Sequence, residues 1–225
     1  MSLVEIAAEG DVATLTLNRP QARNALSLEV CEAITVGLGD IDRSDARCVI
    51  VRGEGDVFCS GADLAAVAGE NGLEFLPTFE KMLDGLARLR LPTIAAIQGA
   101  ALGGGFQLAC CCDFRLAASD AKVGIPSSRL GILVNLENIE RLVVLVGVAQ
   151  AKEVLMTART YSGAEAMRAG LITRHVSREE LDAETRRFAA ELAARAPLSV
   201  QGTKKAIETV ADRLGGVRSA APDAA

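Results

Sequence analysis

The sequence has few residues of the kinds that several common classes of function require. Its single histidine, His175, follows a short predicted strand far along the chain from the glycine-rich loops. A Ser-His-Asp hydrolase needs a histidine beside its nucleophile, so this position argues against that class. The 24 Lys and Arg residues are outnumbered by 29 Asp and Glu residues and form no basic stripe. A nucleic-acid partner is therefore not expected.

Long hydrophobic runs are missing as well. Half of the 225 residues are hydrophobic, but every apolar stretch is interrupted early. A membrane helix needs about 18 or more consecutive apolar residues. The first residues, MSLVEIAAEGDV, also lack the basic region and apolar run of a signal peptide. We therefore expect a cytoplasmic protein with no membrane partner.

The six cysteines do not form a spaced pattern. Cys110, Cys111 and Cys112 are consecutive on a predicted helix, so their side chains point in different directions. Such an arrangement fits neither a disulfide framework nor a spaced metal site. We interpret the cysteines as small buried hydrophobic residues in a reducing compartment, and we predict no metal site.

The first half of the chain alternates predicted strands and helices, which indicates an α/β fold with a mostly parallel, helix-covered sheet. Examples are the alternating strand DVATLTL, a helix behind the N-cap Ser27, and the continuous apolar strands CVIVRG and PTIAAIQG. A helix is also predicted over residues 73–89.

The second half is mainly helical, with predicted helices over 136–147 and 149–157. Capping boxes at Ser162 and Glu165, and at Ser177 and Glu180, predict two further helix starts. A last helix is predicted from about Pro197 to about residue 214, before a frayed tail. We predict a core over residues 1–195 and a C-terminal helix and tail over residues 196–225.

Two glycine-rich loops each enter a predicted helix: CSGADL over 59–64 and GALGGGFQL over 99–108. Such loops bring unhindered N–H groups to the positive end of a helix, where an anion is stabilised. Leu108 stands where a dinucleotide fingerprint needs its third glycine, and no G-K-[ST] follows. These loops therefore favour an oxyanion hole over a phosphate cradle. Tight turns and close helix packing would explain the glycines of either loop alone equally well.

Four separated motifs give this chain a resemblance to a known family. NRPQARNALS, FCSGADL, IQGAALGGGFQLACCCDFRLA and GIPSSRLGI follow one another in the order and spacing of the crotonase (enoyl-CoA hydratase/isomerase) superfamily, over roughly residues 3–210. The resemblance implies a crotonase-like spiral of ββα units with a helical C-terminal extension. It also implies an acyl-CoA thioester as ligand, with no cofactor beyond the CoA of the substrate. A homotrimer or a dimer of trimers is the implied assembly.

The resemblance further implies which residues form the site. The N–H groups of Ala62 and Gly104 would form the oxyanion hole around the thioester carbonyl. The implied substrate-binding residues lie along the adenine and pantetheine path and in the same two loops: Ala22, Arg23, Ala25, Leu26, Ser60, Ala62, Asp63, Leu64, Gly103 and Gly104.

The chain departs from the family at the two glutamates that hold the water of a hydratase. Gln107 and Ser127 stand at these positions, and neither side chain transfers a proton near neutral pH. Each general acid or base contributes roughly 10² to 10⁴ in rate, so an ordinary two-glutamate hydratase mechanism is not expected. Asn135, at a position that is acidic in some relatives, is an amide too.

Glu137 is the best single candidate for a base. It shares a predicted helix face with Glu140, which precedes Arg141, and this pattern favours a solvated or salt-bridged role for the acidic pair. Asp63 stands at a helix start, where the helix dipole explains a carboxylate.

Three hypotheses remain open. The first is an enzyme of the enoyl-CoA hydratase/isomerase type. The second is a non-catalytic fatty acyl-CoA binding protein, which Gln107 and Ser127 favour. The third is a scaffold with a closed pocket, which acyl-CoA binding would exclude. The family resemblance favours the enzyme.

The C-terminal segment is shorter than in the family that the chain resembles, so we expect a more open pocket and weaker trimer contacts. Lys204 and Lys205 on the last helix are candidates for contacts with CoA phosphates, although exposed helix lysines are usually only solvated.

Overall fold

A six-stranded sheet lies at the centre of the computed structural model, which describes residues 2–67 and 72–219. The strands in chain order are β1 (Val4–Glu9), β2 (Val12–Leu17), β3 (Cys48–Gly53), β4 (Thr93–Ile97), β5 (Ala100–Leu102), β6 (Phe114–Ala118), β7 (Lys122–Gly124), β8 (Tyr161–Ser162) and β9 (Arg174–Val176). The main sheet has the order β1-β2-β3-β4-β6-β9, and its pairs are parallel except for the β1–β2 hairpin. A smaller sheet has the order β5-β7-β8.

The helices are α1 (Leu28–Asp42), α2 (Leu64–Val67), α3 (Gly72–Ala87), α4 (Gly104–Cys110), α5 (Leu136–Thr157), α6 (Gly163–Arg168), α7 (Leu181–Ala193) and α8 (Pro197–Ser219), with 3-10 helices at Pro20–Ala22 and Pro126–Leu130. Helix α7 lies against β3, β4 and β6, while α1 contacts β1, β2 and α3. The buried, continuous patterns of β3 and β4 reflect this helical cover. Among the described residues, no helix is long and apolar enough to cross a membrane.

Most predicted helix starts are confirmed by capping contacts. The Ser27 hydroxyl accepts a hydrogen bond from Val30 N at 3.4 Å, and Ser162 forms a complete capping box with Glu165. The second predicted box is different. Ser177 and Glu180 do bond each other, but they close a turn, and α7 begins only at Leu181.

Two predictions for the C-terminal half differ in detail from the structure. The predicted break near residue 148 is found at Gly147, whose φ of 76° interrupts α5. Glycine adopts this conformation with little strain. Helix α8 extends to Ser219, beyond the predicted end at about residue 214. Residues 220–225 of the predicted tail lie outside the described residues.

Lys204 attaches α8 to the core. Its Nζ donates to Leu91 O at 3.0 Å and to Asp113 Oδ2 at 2.9 Å. The same Asp113 oxygen accepts hydrogen bonds from N and Oγ1 of Thr93 at 2.7 and 2.9 Å. Lys204 is therefore 9% exposed, and the expectation that it is a solvated lysine near CoA phosphates is wrong. Lys205 is exposed, as expected.

Candidate active site

The loop over residues 59–64 forms a short parallel bridge with the segment that precedes α1. Leu26 pairs with Ala62: Leu26 N donates to Gly61 O at 2.8 Å, and Asp63 N donates to Leu26 O at 2.8 Å. In this bridge Leu26 bonds to the two neighbours of Ala62 and not to Ala62 itself. The Ala62 N–H therefore points away from Leu26.

A second bridge joins the same loop to the strand that leads into α4. Cys59 pairs with Ala101, since Cys59 N donates to Ala100 O at 3.0 Å and Leu102 N donates to Cys59 O at 3.0 Å. The loop over residues 59–64 thus lies between the segment that ends at Leu26 and the glycine run before α4. These long-range backbone bonds place the two glycine-rich loops side by side.

The N–H groups of Ala62 and Gly104 lie close together. Gly104 is the first residue of α4, where N–H groups have no partner within the helix. Within the part of the chain that the structure describes, neither N–H donates a hydrogen bond. A Cβ placed on Gly104 would lie 3.4 Å from Ala62 N, so the two groups are neighbours. This is the arrangement required to donate two hydrogen bonds to one developing oxyanion.

Gly103 shapes the entry into α4. Its φ is 53°, its N–H donates to Gly124 O at 2.9 Å, and its carbonyl accepts from Phe106 N and Gln107 N, both at 3.0 Å. Gly103 and Gly104 also keep part of their surface exposed, as Ala62 does. A ligand oxygen can therefore approach the pair of N–H groups.

Gly105 permits a close approach of α4 to the loop over residues 59–64. A Cβ at this position would lie 2.4 Å from Cys59 O and 2.7 Å from Cys59 Sγ. We expect Gly105→Ala to lower the free energy of unfolding by about 1–3 kcal/mol, because α4 must move away from the loop that carries Ala62. Urea unfolding followed by circular dichroism measures this loss.

The matched control for that substitution is Gly202→Ala on α8. A Cβ on Gly202 meets nothing within 4 Å, and alanine favours a helix over glycine by about 1 kcal/mol. Unfolding midpoints that are unchanged by Gly105→Ala would contradict the close packing of α4 on Cys59.

Arg19 and Asn24 support the predicted substrate-binding segment. Arg19 Nη1 donates to Ala25 O at 3.2 Å and to Asp63 Oδ2 at 3.0 Å, so it joins the two binding loops. Asn24 is 1% exposed and has a φ of 53°. Its amide donates to the carbonyls of Glu54 and Val57 at 2.9 and 2.7 Å. The Arg19 ion pair, rather than the helix dipole alone, accounts for Asp63.

The structure brings most of the predicted substrate-binding residues together. Ser60 N donates to Arg23 O at 3.0 Å, which holds the Ala22–Leu26 segment against the loop over residues 59–64. Arg23 and Leu64 are exposed, whereas Ala25 and Leu26 are buried. The sequence reasoning missed Arg19 and Asn24 as supports, although both are polar residues inside the quoted motif NRPQARNALS.

Gln107 and Ser127 both lie near the glycine run. Gln107 follows Gly104 by three residues on α4 and is 9% exposed. Ser127 lies in the 3-10 helix just after β7, the strand whose Gly124 accepts the Gly103 N–H. Among the described residues, the Gln107 amide and the Ser127 hydroxyl make no hydrogen bond, and solvent reaches the Gln107 amide. Both positions therefore present neutral polar groups without a partner.

Phe79 on α3 forms an apolar wall that the sequence reasoning missed. Its ring Cζ would lie 3.3 Å from a Cβ on Gly104. The ring stacks on Phe75 with centroids 5.5 Å apart, and Phe79 is 5% exposed. The helical spacing of the two residues indicated only a core face. Their position over the oxyanion hole depends on where α3 packs.

Glu137 is the predicted site residue that the structure does not place with the others. It is exposed in the first turn of α5 and lines a cavity of about 1040 Å³ between α3, α5, α8 and the C-terminal end of α4. Neither Gly104 nor Gln107 lines that cavity. The nearby Arg141 does not pair with Glu140; its ion pairs are with Glu80 and Asp84 of α3. Asn135 is the N-cap of α5.

The cysteines fit their interpretation as small hydrophobic residues. All six are free thiols, and all but the half-buried Cys110 are buried. Burial raises the pKa of the Cys59 thiol to about 12 and that of Cys110 to about 11. Both stay protonated at neutral pH, so neither is an activated nucleophile. No group of three or more potential metal ligands is found in residues 2–67 and 72–219.

His175 lies in β9, at the edge of the main sheet. Its Nδ1 is 3.2 Å from Ser119 Oγ, and that hydroxyl donates to Val176 O at 2.8 Å. The hydroxyl proton is thus directed to a backbone carbonyl. This local contact agrees with the argument against a Ser-His-Asp hydrolase.

Two neighbouring N–H groups at a helix start, beside a buried aromatic ring, form a candidate oxyanion-binding site. Comparison with known sequences identifies the family of the protein. A sequence profile described as enoyl-CoA hydratase/isomerase matches residues 7–221. The chain belongs to the enoyl-CoA hydratase/isomerase family, so the recognised resemblance is confirmed.

Individual relatives agree with this membership. The short-chain enoyl-CoA hydratase of Clostridium acetobutylicum is 37% identical over 204 residues, covering 88% of this chain and 78% of the relative. The crotonyl-CoA hydratase of Syntrophomonas wolfei is 38% identical over 206 residues, with the same coverage of 88% and 78%.

A solved structure confirms the predicted fold class. The crystal structure of an enoyl-CoA hydratase/carnithine racemase from Magnetospirillum magneticum superposes with a TM-score of 0.89 at 33% identity, covering 93% of this chain and 81% of that one. The chain therefore has the crotonase-type α/β fold, and it is a family enzyme of the hydratase/isomerase type.

Proposed function

We propose that this protein binds an acyl-CoA thioester and stabilises its enolate with the N–H groups of Ala62 and Gly104. The observation that carries the proposal is the convergence of these two N–H groups, which lack partners among the described residues. A thioester that loses a proton from its α-carbon keeps the electron pair and places negative charge on its oxygen. Each oxyanion donor contributes on the order of 3 kcal/mol to such a reaction.

The CoA part of the ligand lies along the Ala22–Leu26 segment, Ser60, Asp63 and Leu64 in this proposal, and no further cofactor is needed. The exposed side chain of Arg23 supports it, because a cation on this path suits the CoA phosphates. The Arg19 ion pair supports it as well, since it holds the two binding loops in a fixed relative position.

The assembly in this proposal is a cytoplasmic homotrimer or a dimer of trimers. Large hydrophobic side chains exposed on α5 and α8 support self-association, because a soluble monomer rarely exposes so many on adjacent helices. These residues are Leu136, Val144, Met156, Leu198, Ile207, Val210 and Leu214.

Acetoacetyl-CoA tests enolate stabilisation directly, because this β-ketothioester forms an enolate without a strong base and the enolate has its own ultraviolet band. We expect the protein to increase the enolate fraction, on the order of 100-fold for each donor. Gly104→Val should abolish the increase, because its side chain would enter the space beside Ala62 N and the Phe79 ring.

Gly202→Val is the matched control, because nothing lies within 4 Å of a Cβ on Gly202. Acetoacetyl-CoA that binds with an unchanged spectrum would contradict enolate stabilisation. Absence of binding would contradict the whole proposal.

A second candidate function is a non-catalytic fatty acyl-CoA binding protein. Gln107 and Ser127 favour it, because an amide and a hydroxyl cannot act as the acid and base of a hydratase near neutral pH. Turnover of any acyl-CoA at the oxyanion hole would exclude this alternative.

A further inference from the structure

We infer that the acyl group carries a carboxylate on the carbon next to the thioester carbonyl, and that the enolate forms by loss of carbon dioxide. The inference rests on the proposed function, because it needs the oxyanion hole of Ala62 and Gly104. It adds a substrate class, the α-carboxyacyl (malonyl-type) thioesters, and a role for Gln107.

The first step of the argument is the state of the carboxylates around the oxyanion hole. Two acidic residues next to the loops that build the hole are already bonded. Asp63 pairs with Arg19 at 3.0 Å, and Glu29 accepts from the Ser27 hydroxyl at 2.7 Å.

On α3, next to Phe79, Glu80 accepts from the Asn138 amide at 2.7 Å and pairs with Arg141 at 3.4 Å. These contacts already engage the Glu80 carboxylate. Removal of a proton from the α-carbon therefore has no obvious acceptor among these groups.

An enolate also forms when a carbon–carbon bond breaks, and that route needs no protein base. The bond between the α-carbon and the carboxylate breaks, carbon dioxide leaves, and the electron pair becomes the enolate. Its negative charge lies on the thioester oxygen between the Ala62 and Gly104 N–H groups. A proton from water then forms the new bond to the α-carbon, and the hydroxide left behind combines with carbon dioxide as bicarbonate. Atoms and charge therefore balance without an oxidant or a reductant.

The second step is the side chain of Gln107. Gln107 is only 9% exposed, yet its side-chain amide has no hydrogen-bond partner among the described residues. It follows Gly104 by three residues, which is about 4.5 Å along the helix axis at 1.5 Å per residue. The amide N–H₂ is thus placed to donate to a carboxylate on the acyl α-carbon. A glutamate at this position would repel that carboxylate.

The third step is the Phe79 ring, which would lie 3.3 Å from a Cβ on Gly104. An apolar wall beside the reacting atoms disfavours a localised carboxylate charge relative to neutral carbon dioxide and a dispersed enolate. The ring and the neutral amide together favour loss of the carboxylate, while the N–H pair receives the charge.

Malonyl-CoA, the smallest α-carboxyacyl thioester, tests the inference. The full-length protein is incubated with malonyl-CoA, acetyl-CoA is quantified by liquid chromatography against a protein-free blank, and binding of both thioesters is measured by calorimetry. We expect acetyl-CoA to accumulate above the blank. Gln107→Glu should lower kcat/KM for malonyl-CoA at least about 100-fold through like-charge repulsion. It should leave the affinity for acetyl-CoA within a few-fold.

Gln107→Met is the second variant, since it keeps the size of the side chain without the charge or the donor. It should lower kcat/KM for malonyl-CoA less than Gln107→Glu does, again with acetyl-CoA affinity preserved. If Gln107→Glu does not fold, Gln107→Met alone tests whether the Gln107 amide assists decarboxylation.

The outcomes separate the inference from the proposed function. Binding of both thioesters without formation of acetyl-CoA overturns the inference and leaves the proposed function standing. Binding of neither thioester overturns both. Decarboxylation at the wild-type rate by both variants overturns the role assigned to Gln107.

Discussion

Crotonyl-CoA is expected to bind this protein and to be hydrated at least about 10⁴-fold more slowly than by a family hydratase. Gln107 and Ser127 stand where the family resemblance places the two glutamates, and neither acts as a general acid or base near neutral pH. Each missing acid or base removes roughly 10² to 10⁴ in rate, and the two losses are not fully additive. The glycine loops that bind the thioester are intact, so binding should persist.

Loss of the enoyl-thioester absorbance measures hydration, with the short-chain enoyl-CoA hydratase of Clostridium acetobutylicum as the positive control. The double variant Gln107→Glu/Ser127→Glu is assayed beside the wild type, and we expect it to gain hydration. The neutral pair Gln107→Met/Ser127→Ala is its matched control, because it changes the same positions without adding a carboxylate. Rapid hydration by the wild type would contradict the argument and return attention to Glu137.

The substitution Lys204→Met is expected to lower the free energy of unfolding by about 3 kcal/mol. It leaves the Asp113 carboxylate, whose side chain is 25% exposed, without its cation at the junction of α8 with the core. Removal of one partner from a buried ion pair costs about 3–5 kcal/mol, and the exposure of Asp113 places the expected value at the lower end. The Leu91 carbonyl also loses its donor.

Urea unfolding measures this change, with an expected midpoint shift of about 1 M or more. Lys205→Met is the matched control, because the adjacent lysine is exposed and should shift the midpoint little. Asp113→Asn should destabilise the protein as well, since the buried Lys204 then keeps only the longer 3.9 Å contact with Glu208 as an ion pair. Equal midpoints for Lys204→Met and Lys205→Met would contradict the anchoring role of Lys204.

Local patterns predicted the regular elements well where the signal lies within a few neighbouring residues. The alternation in β2, the continuous apolar run of β3 and the caps at Ser27 and Ser162 are all confirmed. The alternation of apolar and polar residues did not predict β1, because Val4 is its only buried residue and the others are exposed. The strands β5, β7 and β8 have three, three and two residues, too few to show a period.

The departure from the family was also visible in the sequence, because it consists of residue types. Gln107 and Ser127 are neutral whatever the fold, so their chemistry follows from the letters alone. Glu137 could not be judged in this way. Its helical position allowed either a catalytic or a solvated role, and only the packing of α5 against α8 places it at a separate cavity.

The sequence by itself determined the α/β class, the glycine loops, the family and the loss of both glutamates. These conclusions depend on periodicity, on short hydrogen-bonded caps and on the chemistry of single side chains. Only the tertiary structure decided that Ala62 and Gly104 are neighbours, that Phe79 covers them and that Lys204 is buried. Such contacts join residues that are distant in the chain, and they depend on which helix and strand faces meet when the core packs.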